Sequence, residues 1–449
     1  MGQPQQLARE LNQQDLQDLV ASCLRQAEKE GASQAEANAS LSSGLSVTVR
    51  MGEVETLESQ RDRCLGITVF FGQQKGSAST TDLGAGAVAD TVRKACSIAR
   101  FTTSDPCAGL ADAELMVSDF PELDLCHPWN LPASQAIDLA TRCEAAALAA
   151  DRRISNSEGA TVSSNQGLSV YGNSHGFMGV KQGTSHNASC VVVAEKDDEM
   201  QRDYWYSCAR DPVELMDLDE LGRKAAQRAL ARLGSRKIDT RDAQVLFPAE
   251  LARGLLGHLV AAVSGTAQYR RASYLCDAIG QQVLASGITV YERPHLKKAV
   301  GSAAFDSEGV ATVDRDLVSD GVLQGYVLNS YTARKLGLET TANGGGVHNL
   351  ELEPGQASVE ELMEQMGTGL LLTELIGQGV NILTGDYSRG AAGFWVERGK
   401  IQYPVHEITI AGNLADMLAG ILAVGNDLDV RSGIRTPSLL LDEMTIAGN

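Results

Sequence analysis

The sequence predicts an α+β protein: two helix-and-antiparallel-strand layers followed by a mostly antiparallel, β-rich C-terminal domain. Three observations predict it. Apolar residues recur at helical spacing over 13–31 and again over 132–151. Each of these stretches is followed by runs that alternate with a period of two, the signature of half-buried strands. From Asp242 onward, turn dipeptides such as Asp320-Gly321 and Arg398-Gly399 separate further strand-like runs. A chain of 449 residues is longer than one hydrophobic core usually serves. The expected division is an N-terminal α+β domain at 1–101, a linker at 102–131, a central α+β domain at 132–235 and the β-rich domain at 236–449.

In the first unit, Leu16, Leu19, Val20, Cys23, Leu24 and Ala27 share one helical face, and Gly31 supplies the stop. Strands follow at 45–49, 54–57 and 64–71, with a turn at Gly52, and a helix over 85–100 closes the unit. The segment 102–129 holds three prolines and reads as a connection. The second unit repeats the order: a helix over 132–151 with Ala136, Leu139, Ala140, Cys143 and Ala147 on one side, strand-like runs at 160–163, 168–171, 177–181 and 188–194, and a helix over 218–233. In the third region, 310–318 and 322–328 form a hairpin about Asp320-Gly321. Strands at 370–376, 392–397 and 403–410 and helices at 359–366 and 414–424 complete it.

Charge excludes whole classes of partner. A formal charge of -19 and a pI near 4.8 repel phosphate backbones and anionic lipid, and no Lys/Arg block offsets them locally, so neither nucleic acid nor membrane is expected. The first six residues lack a basic segment leading into an apolar run, and no stretch approaches the roughly 18 apolar residues of a membrane span. A cytoplasmic location is the expectation. Nine cysteines, none in a Cys-x-x-Cys pair, read as buried reduced thiols.

Candidate chemistry is sparse. The helix expected over 248–265 carries one histidine, His258, beside Gly254, Gly257, Ala261, Ala262 and Gly265. A metal would need a second donor about one turn away, but the nearby positions hold Arg253, Gly254, Ala262 and Val263. Packing is the stronger reading, because such a strip of small side chains lets another backbone approach. His406-Glu407 fails as a zincin motif, since the surrounding alternation is that of a strand and sends the two side chains to opposite faces. Gly172-Asn-Ser174-His-Gly176 matches a nucleophile elbow in letters, but the residues after it alternate like a hairpin and no helix follows. His175 and His186 read as loop residues, and His127 and His295 as turn residues beside prolines. Asn343-Gly344-Gly345-Gly346 and His348 form the remaining candidate: three glycines in a row suit either an anion- or peptide-binding backbone or a hinge.

Longer patterns carry a resemblance. SRGAAGFWVERGKIQYPVHEITIAGNL at 388–414, FDSEGV at 305–310, DGVLQGY at 320–326, SYTARKLG at 330–337 and the triple-glycine segment resemble the TldD/PmbA family along nearly the whole chain. Within that family the chain is most similar to the PmbA branch, also called TldE. The resemblance implies a cytoplasmic metallopeptidase assembled as a TldD–TldE heterodimer that trims unfolded peptides, such as a gyrase-targeting microcin precursor and an antitoxin. In the TldD branch a His-Glu-x-x-x-His helix and a later cysteine hold the metal. Those helix positions fall here on Gly257, His258 and Ala262, and no cysteine follows Cys276. The segment 429–437 lies where the cysteine loop would be.

The resemblance therefore implies a non-catalytic subunit with no metal or other cofactor of its own. A zinc-like divalent ion is expected in a TldD-like partner, and the family's peptide substrates are expected to meet the Asn343–His348 segment. Two other readings are a stand-alone peptide-binding homodimer and a self-sufficient hydrolase working through Ser174 or through a metal site that the motifs do not reveal.

Overall fold

The computed structural model describes residues 12–448. The reading of the first six residues lies outside them. Helix α1 (Gln13–Lys29) starts where Asn12 accepts from the Asp15 N–H and the Asp15 carboxylate answers the Asn12 N–H, a reciprocal cap that satisfies two orphan donors. It buries Leu16, Val20, Cys23 and Ala27, the stripe seen in the sequence. The hairpin β1 (Gln34–Arg50) and β2 (Glu53–Phe71), strand β3 (Gln74–Thr80) and helix α2 (Ala85–Phe101) follow. After the connection come helix α3 (Ala133–Leu148), β4 (Ile154–Asn173), β5 (Met178–Lys196), β6 (Glu199–Ala209) and helix α4 (Leu218–Ala231).

The two units are not separate layers, because their strands join in one six-stranded antiparallel sheet of order β3-β2-β1-β4-β5-β6. The first strands of the two units pair directly, from Glu36 opposite Asn173 to Val49 opposite Ala160. One face takes all four helices. Ala35, Ala37, Ala39, Leu65, Ile67 and Val69 pack under α1 and α2, and Val47, Val49, Ala160, Val162, Ala188, Cys190 and Val192 under α3 and α4. In each strand these are alternate residues, as the pleat requires. Helices α3 and α4 touch backbone to backbone at Gly222, where a Cβ would come within 2.1 Å of the Cys143 carbonyl oxygen.

The opposite face receives the C-terminal body. That body contains β7 (Arg241–Phe247), α5 (Ala249–Ala262), α6 (Gly265–Tyr269), β8 (Val290–Glu292), β9 (Arg315–Ser319), β10 (Val322–Leu323), α7 (Ser330–Leu336) and β11 (Leu350–Leu352). It continues with α8 (Val359–Met366), β12 (Gly369–Ile376), β13 (Asp386–Glu397), β14 (Lys400–Asn413), α9 (Leu414–Ala419), β15 (Ile421–Val424), β16 (Ile434–Arg435) and β17 (Leu439–Ala447). One sheet runs β10-β9-β8-β11-β16; the other runs β14-β13-β12-β7-β17-β15 and closes on itself through a β14–β17 pairing. Most neighbours are antiparallel, the exceptions being β12 with β7 and β11 with β16. The core of this body gathers Val245, Phe247, Leu255, Leu259, Leu370, Trp395, Ile410 and Leu441 among others.

Several expectations need correction. The separate strand-like runs at 160–171 and 177–194 are two long strands, β4 and β5, whose middle thirds carry Ser, Asn, Gln and Gly instead of an apolar alternation. Strand β6 was missed. The expected helix over 414–424 ends at Ala419, and Ile421–Val424 pairs with β17. The hairpin about Asp320-Gly321 is shorter than expected, with only Val322–Leu323 in its return strand. His406 and Glu407 do lie in a strand, β14, but at a register shift opposite Ala391/Gly393, and Glu407 takes a positive φ of 51°. His186 is not a loop residue: it is buried in β5, bonded to Ser164 Oγ and the His127 carbonyl, with its ring against Trp129. Of the nine thiols, all unpaired, Cys23, Cys96, Cys143 and Cys190 are buried, Cys64 is exposed and the rest lie between. No helix among the described residues is long and apolar enough to cross a membrane.

Candidate functional site

Helix α5 follows β7 through Pro248, and its apolar face, Ala252, Leu255, Leu256, Leu259 and Ala262, is buried. Its first turn is pinned from the chain's end. The Ala249 N–H donates to Ser438 Oγ (3.1 Å), and the Thr436 hydroxyl donates to the Ala249 carbonyl (3.1 Å). Arg253 ties the helix to the large sheet by donating to the Tyr206 hydroxyl of β6 at 3.0 Å.

The other face of α5 carries Gly254, Gly257, His258 and Ala261, spaced to lie in one row. A Cβ on Gly254 would meet nothing within 4 Å, and one on Gly257 only the tip of Ile434 at 3.9 Å. The strip is therefore split: Gly254 and Gly257 have room beside them, while Ala262 is buried and a Cβ on Gly265 would come within 2.4 Å of Thr332 Oγ1, so close packing holds at the C-terminal end of the strip. His258 meets the Tyr387 ring edge-on at 6.0 Å. Burial, and then the Arg389 charge, hold its imidazole below the usual histidine range. Burial also pushes the Tyr387 phenol up to about 12 despite Arg389 beside it. Arg389 spends one Nη on the Leu375 carbonyl (3.4 Å), while its Nε is buried with no acceptor.

As a donor set for a divalent ion this group is poor: one neutral nitrogen, one protonated phenol and one cation. Zinc takes three or four thiolate, imidazole or carboxylate donors. Ala262 points into the core, and Gly257 offers no side chain. Among the described residues no three His, Cys, Asp or Glu side chains are grouped as metal ligands. The 429–437 loop is held by other chemistry. Arg431 makes a two-pronged pair with Asp429 (2.8 and 2.9 Å) and lies over Trp205 and Tyr206 at 4.5 and 4.3 Å.

The triple-glycine segment is built inward. Asn343 donates to Glu292 Oε1 (2.8 Å) and to the Gly346 carbonyl (3.0 Å), and accepts from Arg315 (3.0 Å). The Gly344 N–H donates to Asp306 Oδ2 (2.8 Å), and the His348 N–H to Glu292 Oε1 (2.6 Å). Burial holds the His348 imidazole below its usual range, and its Nε2 bonds the Ala342 carbonyl at 3.1 Å. Gly345 and Gly346 need φ of 100° and 125°, which only glycine adopts easily. The segment is therefore a knotted turn whose donors at Gly344, Gly346 and His348 are already used, with Gly345 its one exposed residue. Its partner Asp306 accepts three backbone N–H bonds, yet burial pushes its carboxyl up to about 6.

Ser174 sits in the turn between β4 and β5 and accepts from the Ala35 N–H at 3.1 Å; a strand, not a helix, follows it. It has no nucleophile geometry.

The feature missed in the sequence is a cleft of about 750 Å³ between the large sheet, the connection at 120–126 and the loop at 302–305. Its floor is the helix-free face of β1, β4 and β5, where Ser40, Ser42, Asn165, Ser169 and Ser185 alternate with residues facing the helices. Lys181 and Phe305 mark one side: Nζ lies 4.3 Å from the ring and donates to the Asp306 carbonyl. Linker and sheet are tied where the Thr184 N–H donates to the Leu125 carbonyl (2.9 Å). The signal available in the sequence was the run of small polar residues in β1 and β4, which reads as a connection before the strand at 45–49 and as a gap between the strands at 160–163 and 168–171.

Known proteins give this geometry its context. Models of the PmbA/TldA metallopeptidase match in three consecutive parts: domain 1 over 35–99, the central domain over 126–233 and the C-terminal domain over 240–448. The chain is 51% identical over 414 residues to the metalloprotease PmbA of Escherichia coli O157:H7, covering 92% of each chain. It is 46% identical to the PmbA homologue of Haemophilus influenzae, covering 97% of each. A TldD homologue of the latter organism is 26% identical over about half of each chain, 45% and 46%. Among solved structures, a Bacteroides thetaiotaomicron protein described as a modulator of DNA gyrase superposes with a TM-score of 0.92 at 26% identity, covering 98% of this chain and all of that one.

Proposed function

This chain belongs to the PmbA/TldD metallopeptidase family, and from that premise we propose that it is the non-catalytic, PmbA (TldE)-type subunit of a two-chain cytoplasmic protease acting on unfolded peptides. The partner is a TldD-like chain, and that chain supplies the divalent, zinc-like ion. Such an ion makes hydroxide available near neutral pH and polarises the scissile carbonyl.

One observation carries the reading. With α5 aligned on its paired leucines, the two histidine ligands of the TldD branch would fall on Gly257 and Ala262 and its catalytic glutamate on His258, whose ring lies near Arg389 and Tyr387. A guanidinium opposes a second cation at that place, and no carboxylate stands there to take a proton from water. What this chain contributes is surface. The cleft over β1, β4 and β5 has the size and the neutral polar floor for an extended peptide backbone, and the Asn343–His348 turn holds the loop at 302–308 that walls it.

Metal analysis of the separately purified chains tests this. The TldD-like chain should hold about one zinc-like ion per active site, and this chain should stay well below that after dialysis against the same zinc buffer. Stoichiometric, tight zinc in this chain would overturn the assignment.

A further inference from the structure

We propose that the cleft over β1, β4 and β5 holds a carboxylate of its peptide, the C-terminal group or an acidic side chain, between the cationic side chains of Arg210 and Lys181. The inference rests on the reading of that cleft as the peptide's place and adds what the cleft selects.

The pleat sets the two cations side by side. Along β5, Val180, Ala188, Cys190 and Val192 face the helices, so Lys181, Gly183 and Ser185 face the cleft. Gly183 has no side chain, and the Arg210 guanidinium takes the space above it: a Cβ there would lie 3.1 Å from Nη1. Lys181 stands two residues along the strand, about 7 Å away. On the neighbouring strand β4, Gly167 pairs with Gly183, and a Cβ on it would meet only the Leu41 carbonyl, at 4.0 Å. The floor beside Arg210 is therefore bare, with Ser42 opposite Gly167 on β1 and Ser169 further along β4.

Neither cation is neutralised by the carboxylates around it. Arg210 donates from its two Nη atoms to the Thr184 carbonyl (2.9 Å) and the Val300 carbonyl (2.7 Å), while its Nε is buried with no acceptor. Lys181 donates to the Asp306 carbonyl at 3.1 Å, and the Asp306 carboxylate is taken up by the N–H groups of Glu308, Val310 and Gly344. Other part-buried arginines carry a carboxylate directly, as Arg228 does with Asp203, Arg315 with Glu292 and Arg431 with Asp429. The acidic residues that line the cleft belong to the connection and are engaged there: Glu122 accepts from the Asp124 N–H, and the Asp124 carboxylate lies 3.1 Å from His127 Nε2. Burial pushes the Lys181 ammonium and the Arg210 guanidinium below their usual ranges. A partly buried charge without a counter-ion is unfavourable, and an anion entering the cleft relieves it. A carboxylate is the anion that a peptide brings; a guanidinium holds it with directed N–H bonds, and an ammonium adds a point charge.

Isothermal titration calorimetry tests this on the full chain with acetylated peptides of about ten residues, the length of a strand. All are built from Ala, Ser and Thr. One ends in a free carboxylate, one in an amide, and one in an amide with a single internal Glu. At least one carboxylate-bearing peptide should bind about tenfold tighter or more than the plain amide, and which one does so identifies the terminus or the side chain as the source. Lys181→Met and Arg210→Gln should each remove most of that preference and leave the affinity for the plain amide unchanged. Circular dichroism shows whether each variant is folded, and Lys181→Met decides alone if Arg210→Gln unfolds. Gly167→Leu, for which the floor has room at the Cβ, should weaken all the peptides by filling the cleft. Equal binding of the peptides that is lost in Gly167→Leu would overturn the proposal and leave the cleft reading standing, and so would a preference that survives Lys181→Met. Binding indifferent to Gly167→Leu, or no binding at all, would overturn both.

Discussion

The His258 imidazole meets the Tyr387 ring edge-on at 6.0 Å, where burial, and then the Arg389 charge, disfavour its protonated form. The pair defines what α5 offers at the position proposed to match the metal-binding helix of the TldD branch: an uncharged ring in a cationic neighbourhood. By NMR, His258 should titrate below an unstructured histidine, and Arg389→Gln should move the midpoint upward. The folded state binds this proton less tightly than the unfolded chain, so the contribution to stability is present above the unfolded pKa of about 6.5 and declines as pH falls through the folded one. A midpoint unmoved by Arg389→Gln would show that burial alone sets it.

Asp306 has the opposite sign. Burial raises its carboxyl to about 6, so the folded state binds the proton more tightly than the unfolded chain. Its contribution is complete below about pH 4 and is lost as pH rises through about 6. Asp306→Asn should flatten that part of the urea-stability profile. It should also loosen the turn at Gly344, because an amide cannot accept on both sides as the carboxylate does. An unchanged pH profile would remove Asp306 from the account.

Arg431→Ala strips the partner from Asp429, which is only 5% exposed at its side chain, and takes a planar cation off Trp205 and Tyr206. Leaving a buried carboxylate unpaired costs about 3 kcal/mol or more. Chemical denaturation should show that loss, with Arg431→Lys recovering only part of it, because an ammonium neither forks onto the carboxylate nor stacks as well. A loss under about 1 kcal/mol would mean that water reaches Asp429 readily.

Gly222→Ala places a methyl where α3 and α4 touch, 2.1 Å from the Cys143 carbonyl oxygen, and the helices must part to admit it. The expected destabilisation is about 1–3 kcal/mol, read as a lower midpoint in thermal or urea unfolding. A neutral outcome would indicate that α4 slides freely over α3.

The helices were legible because their signals are local. The stripe of α1 and the run at 218–233 reappear as α1 and α4 nearly residue for residue, since each buries one face and meets water on the other. The long strands were only half legible. Over Val47 and Val49 the helices cover one face, and the alternation is plain. Between the two helix pairs the helix-side positions hold Ser43, Ser164 and Gln166, so the apolar half of the pattern lapses there and β4 reads as two strands. The union of the two units into a single sheet depends on β1 meeting β4 more than a hundred residues later, which no local period records. At the candidate site, the lack of ligating side chains at Gly257 and Ala262 could be read directly, but Tyr387 and Arg389, which give His258 its character, come from a strand far along the chain. The triple glycine marks a backbone with positive φ at Gly345 and Gly346, and the N–H groups of Gly344 and His348 are taken up by Asp306 and Glu292, partners that no local pattern records.

The central claim is the division of labour between two chains, and cleavage of an unfolded peptide tests it most directly. This chain alone, a TldD-like chain alone and their mixture are compared with zinc present throughout. The account predicts no turnover by this chain and strong turnover by the mixture, unchanged by His258→Ala and abolished when the partner's metal is removed. Hydrolysis by this chain alone, lost on His258→Ala or Ser174→Ala, would contradict it.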